Sequence, residues 1–218
     1  MQIEPAREQM IHQQVRAWDV LDDRVLDAMR RVPRERFVPS QYRDVAFADT
    51  AIPIGSGQHM LTPQLTGRLL QALAIRPGDQ ALEIGTGSGY VSACMAMLGA
   101  GVQSLEIDPA LAAAARRNLE ACPAAKVEVI VADAFAADAV PGGPFDVIAV
   151  TGSLPLYDQR FQQALKPGGR LFVVVGQAPI MRAHLITRVS DNDYRDESLF
   201  ETVLPALHNA PQPIAFTF

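Results

Sequence analysis

An α/β fold built on a mostly parallel, doubly wound sheet is predicted by three observations along the chain. From Pro77-Gly78-Asp79 onward, apolar strand-like runs alternate with helical segments, which is the grammar of a parallel sheet covered on both faces. Two final strand-like runs, Arg182 to Val189 and Ser198 to Leu204, have only the polar turn Ser190 to Asp193 between them, so an antiparallel hairpin ends the sheet. Before Pro77 the pattern is helical. The expected organisation is a helical extension with a long loop over residues 1–76, followed by a ligand-binding α/β domain over residues 77–218.

Composition supports one full core. The 218 residues are 49% hydrophobic and 20% charged, and a chain of this size buries roughly 70% of its unfolded surface, which excludes disorder as the main state. Lys and Arg number 19 against 24 Asp and Glu, a formal net charge of -5, whereas a general nucleic-acid clamp needs the opposite sign. Neither a nucleic acid nor a membrane is expected as a partner. The longest apolar stretches, such as Phe172 to Val175, fall far short of the ~18 residues of a membrane helix, and the opening MQIEPAREQM lacks the apolar core of a signal peptide. Cytoplasm is the expected compartment and a monomer the default expectation. Cys94 and Cys122 have no metal-type spacing and read as buried thiols.

The elements follow in order. Ile11, Val15 and Trp18 fall at helical spacing, as do Val25, Leu26 and Met29 after the start signal Asp22-Asp23, and Pro33 and Pro39 punctuate the segment. Gln41 to Met60, with Pro53, Gly55, Ser56 and Gly57 close together, reads as a long loop. Thr62-Pro63 reads as an N-cap with proline at the first helical position, opening a helix that carries Leu65, Leu69, Leu70 and Leu73. Strands are expected at Gln80 to Ile84, Val102 to Glu106, Val127 to Val131, Val147 to Val150 and Arg170 to Val175. Helices are expected at about Tyr90 to Leu98, Pro109 to Glu120 (capped by Asp108) and Leu156 to Leu165.

The residues with chemical potential cluster at strand ends. Leu82-Glu83-Ile84-Gly85-Thr86-Gly87-Ser88-Gly89-Tyr90 runs from an apolar strand through three alternating glycines into a helix. Glycines permit a tight turn and close approach to a ligand, and the helix start offers free N–H groups, although such clusters also occur as plain turns. Glu106 ends the next strand, where a nucleoside-binding fold places an acid for ribose hydroxyls; the alternative is a solvated strand-end acid. The spacing is G-x-G-x-G, not the G-x-G-x-x-G of dinucleotide folds, so a nucleoside without phosphates fits better than NAD. Asp133-Ala134 closes the third strand, where a carboxylate beside an apolar edge could accept from an adenine amino group; alone, Asp133 also reads as a turn residue.

The segments Phe145-Asp146-Val147-Ile148-Ala149-Val150 and Leu165-Lys166-Pro167-Gly168-Gly169-Arg170-Leu171 resemble the seven-stranded, Rossmann-like class I S-adenosylmethionine-dependent methyltransferases. More narrowly, the chain resembles the protein-L-isoaspartate O-methyltransferase family over nearly all its length. Specific features are Arg24 to Met29, the run Val32-Pro33-Arg34-Glu35-Arg36-Phe37-Val38-Pro39, Ala48-Asp49, Ile52 to Gln58, and the glycine motif. The resemblance implies S-adenosyl-L-methionine as cofactor and isoaspartyl-containing peptides or proteins as substrate, methylated to begin their repair. It implies that Glu83 and the loop Gly85, Thr86, Gly87 and Gly89 border the methionine part, that Glu106 holds the ribose, and that Asp133 and Ala134 frame the adenine.

One departure bears on catalysis. Where the family has Thr-Ile-Ser after Gly-Gln, this chain has His59-Met60-Leu61, so Leu61 replaces the serine regarded as catalytic in the family. An isoaspartyl α-carboxylate with pKa near ~4 is already ionised at neutral pH, and its attack on a methyl group needs no general base. Replacement donors are Thr62, otherwise explained as a helix cap; His59, a base for a neutral hydroxyl acceptor or a bystander; and Ser153 at the fourth strand's end. His12, His184 and His208 show no ligand-like pairing, so no metal is assigned. Two alternatives stay open: a diverged methyltransferase with another acceptor, and a non-catalytic cofactor-binding protein.

Overall fold

A computed structural model describes residues 2–122, 125–136, 140 and 142–213. Residues 214–218 of the expected 77–218 domain lie outside the described residues. The N-terminal segment forms α1 (Ile3–Gln9), a π-helical turn (Met10–Val15), a 3-10 turn (Arg16–Trp18) and α2 (Asp23–Arg31), whose N-cap Asp22 accepts from the Arg24 N–H at 2.9 Å. Ile11 and Val15 are fully buried, as their spacing implies. Trp18 departs from that pattern. Asp19 follows in the left-handed region at φ 59°, turning the chain, and Trp18 is left 45% exposed.

The expected loop from Gln41 to Met60 is more ordered than its composition implies. A 3-10 segment (Ser40–Val45) leads to a hairpin of β1 (Ile52–Gly55) and β2 (Gln58–Met60), paired antiparallel with Pro53 opposite His59. Helix α3 (Pro63–Leu73) starts at Thr62, whose hydroxyl oxygen accepts from the Leu65 N–H at 3.3 Å.

The α/β part then runs β3 (Gln80–Ile84), α4 (Tyr90–Met97), β4 (Gly101–Glu106), α5 (Pro109–Leu119), β5 (Val127–Val131), β6 (Phe145–Leu154), α6 (Gln159–Gln163), β7 (Leu165–Gln177), β8 (Ile180–Arg188) and β9 (Tyr194–Glu201). Helix α6 is shorter than the expected Leu156 to Leu165 at both ends: Asp158 caps its start by accepting from the Arg160 N–H, and β7 begins at Leu165. The final strand ends at Glu201, not Leu204. The sheet has the order β5-β4-β3-β6-β7-β8-β9; its first five strands are parallel, and β8 and β9 complete an antiparallel edge. This is the expected mostly parallel seven-stranded sheet.

Alternation along the strands divides the core. Ala81, Val102, Val147, Ala149, Phe172 and Val174 face one cluster, which α3 fills with Leu69, Leu70 and Leu73 and the N-terminal segment fills with Met10, Ile11 and Met29. Leu82, Ile84, Ile148, Val150, Leu171 and Val173 face the other, covered by Phe161 of α6. Each Val, Leu, Ile or Phe among them contributes about 1.5–3 kcal/mol on burial, so a register slip of one residue is strongly disfavoured. Glu83 is the exception: it points into the apolar cluster from between Ala81 and the glycine loop. Because β4 lies on one side of β3 and β6 on the other, the chain reverses its winding direction at β3. The carboxyl ends of these strands therefore open a crevice, the position at which doubly wound sheets receive ligands.

Candidate active site

That crevice holds a cavity of about 360 Å³, and five of the eight cofactor candidates line it: Gly85, Gly87, Glu106, Asp133 and Ala134. A smaller cavity of about 40 Å³ adjoins it and shares Gly85, Gly87, His59 and Leu61; Glu83 and Thr86 line this second space. Gly89 lines neither. It caps α4 in the left-handed conformation, at φ 85°.

The glycine loop is shaped by close approaches. Gly85 has φ 93°, and a Cβ there would come within 2.5 Å of the Thr151 hydroxyl oxygen. That hydroxyl bridges back to the Ile84 and Gly85 carbonyl oxygens, at 2.9 and 2.6 Å. Gly87 has φ 53° and lies under Ile54 of the hairpin, so a side chain there would be strained and would crowd the cavity roof.

Glu106 is 6% exposed and accepts two backbone N–H groups, Gly87 at 2.8 Å on Oε2 and Asp108 at 3.1 Å on Oε1. Each carboxylate oxygen carries two lone pairs, so both oxygens keep acceptor capacity toward the cavity. Asp133 is likewise held in place. Its Oδ1 accepts from the Phe135 N–H at 2.8 Å and its Oδ2 from the Asn209 amide at 2.8 Å.

Glu83 is fully buried, and its Oε2 accepts hydrogen bonds from the Ser92 and Ser104 hydroxyls. The Ser104 hydroxyl also meets that of Thr86 at 2.6 Å, which couples the buried acid to the glycine loop. Oε1 has no hydrogen-bond partner. Burial raises the Glu83 carboxyl to about 7; the two serine hydroxyls oppose this, and nearby Glu106 adds to it. Burial likewise pushes the Cys94 thiol up to about 12, consistent with an inert core thiol.

The hairpin and a C-terminal segment roof the crevice. Ser56 at the hairpin tip donates to Asp108, which holds that carboxyl below its usual range. Gln58 meets His208 at 3.0 Å. The segment Thr202 to His208 supplies Val203, Leu204, Pro205 and Leu207 to the lining, and its path is set by Ser153. The Ser153 N–H donates to the Pro205 carbonyl at 2.9 Å, its carbonyl accepts from the Leu207 N–H at 3.0 Å, and its hydroxyl donates to the Leu204 carbonyl at 2.9 Å. Ser153 is 1% exposed and lines neither cavity, and its hydroxyl is engaged by the Leu204 carbonyl.

His59, Leu61 and Thr62 stand together at the other side of the cavity. The Thr62 oxygen caps α3, leaving its O–H proton free of that bond. His59 is exposed on the hairpin. Sequence reasoning missed Trp18, Thr151 and the Thr202–His208 segment as lining residues, and it missed Arg34. Arg34 is fully buried, donates to the carbonyls of Ala46 at 2.9 Å and Leu61 at 2.8 Å, and lies 4.8 Å over the Tyr90 ring. Among the described residues no helix is long and apolar enough to cross a membrane.

Comparison with known proteins bears on this arrangement. The family model described as Protein-L-isoaspartate(D-aspartate) O-methyltransferase (PCMT) matches residues 5–205. Protein-L-isoaspartate O-methyltransferase 2 of Marinobacter nauticus is 39% identical over 193 residues, 88% of each chain. The Protein-L-isoaspartate O-methyltransferase of Methanoculleus marisnigri is 42% identical over 170 residues, 78% of this chain and 77% of that one. A crystal structure of a Plasmodium falciparum protein described under the same activity, in complex with S-adenosyl-L-homocysteine, superposes with a TM-score of 0.79 at 21% identity, covering 92% of this chain and 97% of the other. A match across residues 5–205, together with relatives near 40% identity, settles the membership: the chain belongs to the protein-L-isoaspartate O-methyltransferase family of S-adenosylmethionine-dependent methyltransferases.

Proposed function

We propose that this chain methylates the α-carboxylate of isoaspartyl residues in damaged proteins, the step that starts their return to aspartate through a cyclic imide. The observation that carries the reading is the single crevice in which Gly85, Glu106 and Asp133 on one side meet His59, Leu61 and Thr62 on the other. When bound, S-adenosylmethionine supplies an electrophilic methyl group on a sulfonium.

The residues present fit that cofactor. Glu106 has spare lone pairs for two ribose hydroxyls, Asp133 and Ala134 offer an acceptor beside an apolar edge for adenine, and the unpartnered Oε1 of Glu83 beside the glycine loop suits a cationic methionyl group. Met60, Leu61 and Leu65 give the acceptor side an apolar lining. The acceptor carboxylate arrives ionised, so these side chains need to orient it and need not remove a proton. Orientation supplies roughly 7–11 kcal/mol in well-aligned cases, against about 2.7–4 kcal/mol for one oriented donor. Losing the family's serine at Leu61 therefore weakens such a site without abolishing it, and the Thr62 hydroxyl, whose proton the helix cap leaves free, is the replacement donor in this reading.

A second reading is favoured by one feature. Among the described residues the lining holds no Lys or Arg, and Leu61 lies among Met60, Leu65, Val203 and Leu204, which suits a less charged acceptor with His59 as its base. Methyl transfer from labelled cofactor to isoaspartyl peptides, set beside small carboxylates and phenols, separates the two. Cofactor binding with every acceptor inert would leave a non-catalytic binding protein. We place the chain in the cytoplasm, acting as a monomer without nucleic acid.

A further inference from the structure

We propose that Trp18 is a docking ledge for an apolar side chain next to the acceptor residue, so that the chain prefers isoaspartyl segments with large aliphatic neighbours. This rests on the isoaspartyl reading and adds to it a preference for the flanking residue. Trp18 is 45% exposed and Val203 58% exposed, and both line the cavity that contains Leu61 and Gly85. An acceptor polypeptide reaching Leu61 enters the cavity that these two exposed side chains line.

The exposure of Trp18 is built into the turn that carries it. The Gln71 side chain of α3 accepts from the backbone N–H groups of Leu21 at 2.6 Å and Asp22 at 2.9 Å, and donates to the Asp19 carbonyl at 2.8 Å. Arg68, also on α3, donates to the Trp18 carbonyl at 3.1 Å while its guanidinium lies 4.6 Å over the Phe200 ring. Four hydrogen bonds thus fasten the turn to a buried helix. A pinned backbone presents a large, stiff indole whose ordering on contact costs little entropy, the usual property of an aromatic anchor. The chemistry of the occupant follows from the lining. Among the described residues its basic groups are His59 and His208, and its acids are Glu106 and Asp133, which the reading above gives to the cofactor, and Asp108, which Ser56 holds, so Trp18 and Val203 offer a flanking residue apolar contact in preference to an ion pair.

Trp18 is the sole tryptophan of the chain, so its fluorescence reports the contact directly. Two isoaspartyl peptides free of tryptophan and tyrosine, differing only in leucine or serine on both sides of the isoaspartyl residue, are titrated into the protein with S-adenosylhomocysteine and then assayed with S-adenosylmethionine. The leucine peptide is expected to shift the emission to the blue and bind about tenfold more tightly, the change that covering several tens of Å² of apolar surface gives. The same factor should appear in KM with little change in kcat. Trp18→Ala should bring the leucine-to-serine ratio to about one, and Trp18→Phe should restore most of it. Equal affinities in the unmodified protein, or a ratio that survives Trp18→Ala, would overturn the ledge. Methylation of neither peptide refutes the isoaspartyl reading alone; the presence or absence of the leucine-dependent shift still decides the ledge.

Discussion

Arg34 Nη2 donates to the carbonyl oxygen of Leu61 at 2.8 Å, joining a fully buried guanidinium to the backbone of a residue that lines the crevice. The same side chain holds Ala46 through Nε, and its burial pulls the guanidinium below its ordinary pKa. The acceptor loop is therefore set by its backbone as well as by its side chains. Lysine cannot reach two carbonyls with a planar fork. Arg34→Lys should lower stability by about 1.5–3 kcal/mol for one charged hydrogen bond lost, read as a shift of the urea midpoint. An unchanged midpoint would mean that these contacts contribute nothing.

Glu106→Ala should weaken binding of S-adenosylhomocysteine by about 1.5–3 kcal/mol for each charge-assisted hydrogen bond lost, measured by calorimetry. The structure adds a cost to folding, because Glu106 also holds the Gly87 and Asp108 N–H groups. A lowered melting temperature should accompany the weaker binding. Unchanged affinity would return Glu106 to a strand-end acid with a purely structural role.

Glu83 gives a pH dependence with a definite sign. Its carboxyl stands at about 7 in the folded chain against an ordinary 4.5, so the folded state binds the extra proton between those values. Its contribution to stability is fully present below about 4.5 and is lost as pH rises through about 7, a total of roughly 3 kcal/mol. Glu83→Gln keeps the shape and stays neutral. Relative to the unmodified protein, this variant should gain stability progressively from pH 5 to pH 8 in urea titrations. A difference independent of pH would contradict the burial argument.

Leu61→Ser tests whether the missing hydroxyl limits the reaction. Because Arg34 holds the Leu61 carbonyl and not its side chain, the substitution leaves that backbone contact available. Methylation of isoaspartyl peptides should rise by no more than about 2.7–4 kcal/mol in transition-state stabilisation, with cofactor affinity unchanged. Activity that stays at background would mean that the loop serves another acceptor.

The sheet was legible because its strands carry period-2 or unbroken apolar runs between clear stops. Gln80 to Ile84 and Val127 to Val131 coincide with β3 and β5, and Thr62-Pro63 and Asp108-Pro109 open helices as their capping chemistry requires. The hairpin Ile52–Met60 was not legible. Its strands are 4 and 3 residues long and one contains Pro53, so no periodicity marks it; the signal that could have found it is the two-residue turn Ser56-Gly57, with φ 51° and 71°. Trp18 fits helical spacing, yet one left-handed residue after it changes what it faces. Ser153 sits at a strand end as sequence reasoning had it, but the contact that occupies its hydroxyl comes from Leu204, 51 residues away. Nothing local in Val32-Pro33-Arg34-Glu35 marks Arg34 as fully buried, since its partners are carbonyls of distant segments.

The most direct test of the central claim pairs an isoaspartyl peptide with its aspartyl twin, using labelled S-adenosylmethionine and the full chain. The account predicts a base-labile methyl ester on the isoaspartyl peptide, matched by S-adenosylhomocysteine release, and background on the aspartyl peptide. Calorimetric binding of S-adenosylhomocysteine with neither peptide labelled, or equal labelling of both, would contradict it.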